Sequence, residues 1–187
     1  MIVRMPEPYT VPANGVVEYQ YFIVDPGFKE DVWITKAEGR PGNRSVVHHM
    51  IMFYIAPNQK RPRSIDALVN SVGSFAPGLP ATELPAGAAR RIPAGSKLVF
   101  QMHYTPNGTE QTDQSEVGLI FADPKTVRRE FVVGWALNWT FLIPPGANNH
   151  RVEAVRKFEQ DTYIYSMVPH MHLRGKSFRF EANYPDG

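Results

Sequence analysis

The sequence predicts an all-β protein, specifically an antiparallel, jelly-roll-like β-sandwich. Many short segments rich in Val, Ile, Phe, Tyr and Trp follow one another along the 187 residues. Turn sequences separate them at short intervals, among them Pro12-Ala-Asn-Gly15, Pro106-Asn-Gly108 and Pro144-Pro-Gly146. The chain contains neither an internal repeat nor a heptad pattern, so a repeat fold or a coiled coil is not expected.

Ten strands are predicted from the apolar, β-branched and aromatic segments between these turns. They cover residues 16–24, 32–37, 45–55, 97–104, 116–121, 131–137, 139–143, 150–155, 162–168 and 177–183. A helical pattern is visible only in residues 64–69. The surrounding stretch, residues 59–93, is rich in Pro, Gly and Ala, and we expect it to be a long loop excursion.

The chain is long enough for one domain, or for one domain and part of another. Residues 151–161 are strongly charged and form either a solvated hairpin or a linker. We expect an N-terminal sandwich in residues 1–155 and the start of a truncated second sandwich in residues 156–187. The final Tyr-Pro-Asp-Gly187 is a turn sequence that normally joins two strands, so we expect a fragment whose last segment forms an incomplete sheet.

Composition excludes several classes of function. The net charge is only +2, without a basic patch, so nucleic-acid binding is not expected. No apolar run approaches the length that spans a membrane. The absence of cysteine rules out disulfides and thiolate metal ligands. The first residues, Met1-Ile-Val-Arg-Met-Pro, lack the apolar stretch of a signal peptide.

Five of the six histidines fall in three short clusters on predicted strands. His48 and His49 are adjacent, His103 lies near the end of a strand, and one residue separates His170 from His172. Imidazole is the commonest protein ligand for zinc, copper, iron and nickel. The pattern therefore predicts metal binding, whereas the isolated sixth histidine is expected to be a surface residue.

Strand geometry constrains how these side chains can meet. Side chains alternate between the two faces of a strand, so His170 and His172 point the same way and can chelate one ion. His48 and His49 would point to opposite faces unless the backbone bulges there. Five ligands are too many for one ordinary site, so two sites fit better, one with three histidines and one with two that await a third ligand. All-nitrogen ligation suits copper, zinc or nickel and leaves that choice open.

Four motifs follow one another along the chain. They are Val47-His48-His49-Met50, Leu98-Val99-Phe100-Gln101-Met102-His103-Tyr104, Ile143-Pro144-Pro145-Gly146 and His170-Met171-His172-Leu173-Arg174-Gly175. Their order resembles that of a known family, the type 2 copper, ascorbate-dependent monooxygenases, and in particular its bacterial relatives. The family includes peptidylglycine α-hydroxylating monooxygenase and dopamine β-monooxygenase, and the resemblance covers roughly His48 to Gly187.

The resemblance implies two jelly-roll-like domains that each hold one copper ion. His48, His49 and His103 would bind the electron-transfer copper, and His170 and His172 would supply two ligands to the oxygen-binding copper, whose third ligand is missing here. The implied reaction is C–H hydroxylation of a small-molecule substrate with O2 and a one-electron reductant such as ascorbate. The resemblance also implies a periplasmic or extracellular location, and we expect this fragment alone to be inactive.

Two other functions are compatible with the sequence. The chain could be a non-catalytic copper-binding or electron-transfer module of the same fold. It could also be a β-sandwich interaction domain whose histidines bind no metal. A Met on a strand of the second sandwich would separate the first alternative from the monooxygenase, and a titration with Cu(I) would separate the second. The sequence predicts neither the substrate nor the oligomeric state.

Overall fold

The computed structural model of the protein describes residues 1–171 and 174–186. The chain divides into two compact units, Met1–Gly134 and Trp135–Gly187. The predicted domain division at residue 155 stays a prediction.

The first unit contains all the strands of the described residues, numbered β1 to β12 in chain order, and one short helix, α1 (Ser64–Val69). A 3-10 turn covers Pro124–Thr126. No helix in the described ranges is long and apolar enough to cross a membrane. The strands are β1 (Ile2–Arg4), β2 (Tyr9–Val11), β3 (Gln20–Val24), β4 (Val32–Arg40), β5 (Val47–Ile55), β6 (Ser71–Phe75), β7 (Thr82–Glu83), β8 (Ala88–Ile92), β9 (Lys97–Tyr104), β10 (Gln111–Asp113), β11 (Glu116–Phe121) and β12 (Arg129–Glu130).

The strands form two main sheets and a small ribbon. One sheet has the order β1-β11-β4-β8-β12, and β7 also pairs with β4. The other has the order β3-β9-β5-β6, and β2 pairs with β10 in the ribbon. All the pairs are antiparallel except β8 with β12. The predicted all-β, antiparallel sandwich is confirmed.

Buried apolar side chains from both sheets form one core, as a sandwich requires. The β4 and β11 side chains meet those of β5 and β9 in this core. Gly73 marks a close approach between the sheets, since a Cβ atom there would lie 2.9 Å from the Cβ of Ala37. The main contributors are Ile34, Ala37, Met50, Met52, Leu98, Phe100, Met102, Tyr104, Val117 and Leu119.

The helix α1 covers part of the outer face of the four-stranded sheet. There Ala67 of α1 packs against Phe53, Ile55 and Val99. The buried carboxylate of Asp66 accepts hydrogen bonds from the Arg63 backbone and side chain, which fixes the first turn of α1. Burial acts to raise the pKa of Asp66, but hydrogen bonds from Arg63 and a neighbouring glutamine outweigh it and hold that pKa below its usual 3.8.

Two parts of the predicted secondary structure are wrong. The stretch 59–93 was expected to be a loop excursion, yet it contains α1 and β6 to β8, and β6 and β8 pair with the long strands β5 and β4. Pairing with a long neighbour stabilises strands whose own sequences are poor in β-branched residues. The helix at 64–69 is confirmed.

The strands expected at 131–137, 139–143, 150–155, 162–168 and 177–183 do not form within the described residues. Their sequences favour extended structure, but a strand also requires a ladder of hydrogen bonds to a neighbour. The Phe131 amide donates one such bond to the Ala89 carbonyl of β8 at 2.8 Å, but no ladder continues along these segments in the part of the chain described. Most side chains of the second unit are exposed, including Trp139, Leu142 and Val155. Local polar contacts are present, such as that from Lys176 Nζ to Asn149 Oδ1 at 2.8 Å.

Candidate metal centre

The three-histidine cluster, which consists of His48, His49 and His103, lies at one end of the β5–β9 pair. His49 is directly opposite His103 in the ladder. The register shifts between Val47 and His49, so His48 occupies a bulge. A bulge rotates a side chain out of the regular alternation. The bulge therefore allows the adjacent His48 and His49 side chains to reach one point. Side-chain alternation along a regular strand would have prevented this.

The Nδ1 atoms of the three rings converge. The distance from His48 Nδ1 to His103 Nδ1 is 3.1 Å, that from His49 Nδ1 to His48 Nδ1 is 3.2 Å, and that from His103 Nδ1 to His49 Nδ1 is 3.4 Å. The point equidistant from three atoms so spaced lies about 1.9 Å from each, close to the 2.0–2.1 Å of a zinc–imidazole bond. The spacing therefore fits one metal ion bound by all three rings.

Hydrogen bonding among the rings cannot account for this convergence. In a neutral imidazole each nitrogen is either a donor or an acceptor. Among three Nδ1 atoms at least two must be of the same kind, so at least one of the three short contacts is not a hydrogen bond. A cation at the centre, with all three Nδ1 atoms as lone-pair donors, removes this conflict.

The surroundings favour neutral imidazoles, the form that binds metals. Burial, followed by the neighbouring His103 and His48, lowers the pKa of His49 to about 4. Burial, together with the nearby His48, also lowers the pKa of His103. His48 is exposed, whereas His49 and His103 are half-buried, so the cluster is open to solvent on the side of His48.

Tyr19 is a neighbour of the cluster that the sequence did not reveal. Its ring stacks on the His103 ring, with centroids 4.9 Å apart and an interplanar angle of 24°. Its hydroxyl lies 3.5 Å from Nε2 of His49, which is long for a hydrogen bond. Tyr19 thus contacts two of the three histidines, and partners of this kind orient rings that bind a metal. The tyrosine lies just before β3, and no motif distinguishes it in the sequence.

The histidines predicted for a second site are in the other unit. His170 is exposed and takes part in an interaction, and His172 lies outside the described residues. His150 is exposed, as expected. Within the described residues, the three-histidine cluster is the one group of three or more His, Asp or Glu side chains close enough to hold a metal ion.

Comparison with known proteins adds no relative. No protein-family model matches the chain, and no curated protein sequence matches it significantly. Its function must therefore be argued from the residues and their geometry.

Proposed function

We propose that the three-histidine cluster binds one copper ion, and that the protein is the copper-binding part of a monooxygenase that hydroxylates a small-molecule substrate. The convergence of three Nδ1 atoms within 3.4 Å of one another is the observation that carries this proposal. The choice of copper over zinc or nickel rests on the resemblance of the motifs around these histidines, since imidazole suits all three metals.

The proposed role of this copper is electron transfer. Copper bound there would supply one-electron redox chemistry. The protein's own contribution is to place three neutral imidazoles on two paired strands while leaving His48 exposed, so that a small reductant such as ascorbate can approach. His170 and His172 would contribute to a second copper, and the proposed location is periplasmic or extracellular.

A copper-binding or electron-transfer module without catalytic activity is the second candidate. The compactness of the Met1–Gly134 unit, which contains the complete cluster, favours it. This chain alone should hydroxylate nothing under either candidate, so the measurement that separates them uses a protein in which the second copper site is complete. With ascorbate and O2, a monooxygenase would then hydroxylate an added substrate, whereas the module would consume reductant without hydroxylating it.

Titration with Cu(I) in competition with a chromogenic chelator tests the site. The wild-type chain should bind one copper ion firmly. His49→Ala and His103→Ala should each weaken that binding by roughly 10-fold or more, on the scale of disturbed metal sites. His150→Ala is the matched control and should leave the affinity unchanged, because this exposed histidine belongs to the second unit. Equal affinities in all four proteins would refute the assignment.

A further inference from the structure

The three-histidine cluster lies at the end of the β5–β9 pair, where strands are least protected against local opening. Val47 opposite Tyr104 is the last pair of the β5–β9 ladder, and beyond it one further bond runs from the Thr105 amide to the Val46 carbonyl at 2.8 Å. The bulge at His48 interrupts the ladder between this end and the rest. Strand ends open locally at a lower free energy than strand centres. The Nδ1 spacing therefore requires something besides the ladder to hold this end closed.

A buried carboxylate lies at this end of the strands. Asp113 of β10 is only 1% exposed. Its Oδ2 accepts a hydrogen bond from the Tyr104 hydroxyl at 2.9 Å, and its Oδ1 accepts one from the Asn43 backbone N–H at 2.8 Å. The Ser115 hydroxyl lies within hydrogen-bond distance of both oxygens, at 3.1 and 2.8 Å. Both oxygens of the buried carboxylate thus have hydrogen-bond donors within the core.

Two of the hydrogen-bond partners of Asp113, Tyr104 and Asn43, belong to the segments that carry the proposed metal ligands. Tyr104 directly follows His103 in β9. The Asn43 carbonyl accepts the Val47 amide at 3.1 Å, at the start of β5 and one residue before His48. One carboxylate therefore connects the end of β9 to the turn that leads into β5.

The network is neutral apart from the carboxylate itself. Among the described residues, no Lys, Arg or His side chain forms an ion pair with Asp113, whereas the other fully buried carboxylate, Asp66, pairs with Arg63 at 2.9 Å. A buried charge held only by neutral donors needs all of its hydrogen bonds. Loss of one partner should therefore loosen the segments that the carboxylate joins.

We infer that Asp113 is a positioning residue for the metal site, acting through Tyr104 and Asn43 to hold the ligand-bearing ends of β5 and β9 in register. This inference rests on the proposed metal site. Asp113 contacts none of the three ligand rings in the described hydrogen bonds, so its effect is on their spacing.

Two conservative variants test the inference in the full chain. Asp113→Asn keeps the shape of the side chain, and Tyr104→Phe removes one hydroxyl. Each should weaken Cu(I) affinity by roughly 10-fold and change the EPR spectrum of bound Cu(II), as loss of supporting partners does at other metal sites. Asp66→Asn is the matched control, because it disturbs a buried carboxylate near α1, which packs on β5 away from its histidines. It should lower stability without changing affinity or spectrum.

The apo protein supplies a readout that needs no metal. Amide exchange at Val47 and Thr105, and the imidazole NMR signals of His49 and His103, should change in both test variants and stay as in wild type in Asp66→Asn. Copper affinities within about two-fold of wild type, or an equal loss in Asp66→Asn, would overturn the inference. A wild-type chain that binds no copper would refute the proposed function instead, and the apo signals would still report whether Asp113 positions the rings.

Discussion

Among the three histidines of the cluster, His49 is the one whose protonation is most strongly controlled by its surroundings. Burial and its two histidine neighbours lower its pKa to about 4 from the usual 6.5. The folded protein therefore holds this ring neutral between these values, where the unfolded chain would bind a proton. Stability that depends on the neutral ring is complete above pH 6.5 and decreases as the pH falls toward 4.

An NMR titration of the imidazole signals in the metal-free protein measures this directly. The His49 signal should titrate near pH 4 in the folded chain and near 6.5 in the urea-unfolded chain. A folded-state pKa at or above 6.5 would contradict the burial and the close approach of the three rings.

At the residue scale the sequence predicted that His48, His49 and His103 come together, but not what surrounds them. The three-histidine cluster and the need for a bulge follow from side-chain alternation along a strand. Tyr19 and Asp113 could not be found that way, since each acts through long-range contacts made only after the strands pair. Nor did the sequence distinguish Nδ1 from Nε2 as the converging atom, because that choice depends on ring orientation.

At the scale of the secondary-structure elements, the main feature is how closely the two sheets pack against each other. β4 of one sheet and β6 of the other approach closely at Gly73, where an added Cβ would lie 2.9 Å from the Ala37 Cβ. Neither atom belongs to a flexible side chain, so the backbones would have to move apart. Gly118 on β11 is the matched position, because its added Cβ would meet no atom closer than the Glu38 carbonyl oxygen at 4.0 Å.

Chemical denaturation of two glycine variants tests this packing. Gly73→Ala should lower the free energy of unfolding by about 1–3 kcal/mol, the range for overpacked cores. Gly118→Ala should change it by less than about 0.5 kcal/mol, as surface substitutions usually do. A Gly73→Ala protein as stable as wild type would mean that the sheets are further apart than described.

Long strands were predictable and short ones were not. Residues 32–37, 97–104 and 116–121 carry enough apolar and β-branched residues for a pattern, and β4, β9 and β11 form there. Strands such as β1 and β2 have only three residues, and pairing with β11 and β10 determines them. After residue 131 the apolar, β-branched pattern predicts strands that do not form. Those segments have the sequence of a strand, but no strand ladder joins them within the described residues.

At the scale of the whole molecule, the two units differ in how they bury apolar groups. Met1–Gly134 has a continuous core and contains all three histidines of the three-histidine cluster. Trp135–Gly187 contains the motif with His170 and exposes many of its large apolar side chains. The proposed copper site therefore depends on the first unit alone, and the monooxygenase proposal also depends on the second.

Diffraction from copper-loaded crystals, recorded at the copper absorption edge, tests the central claim most directly. The proposal predicts an anomalous peak about 2 Å from Nδ1 of each of His48, His49 and His103. A peak elsewhere, with the three Nδ1 atoms in contact and no ion between them, would contradict the assignment of this cluster as the copper site.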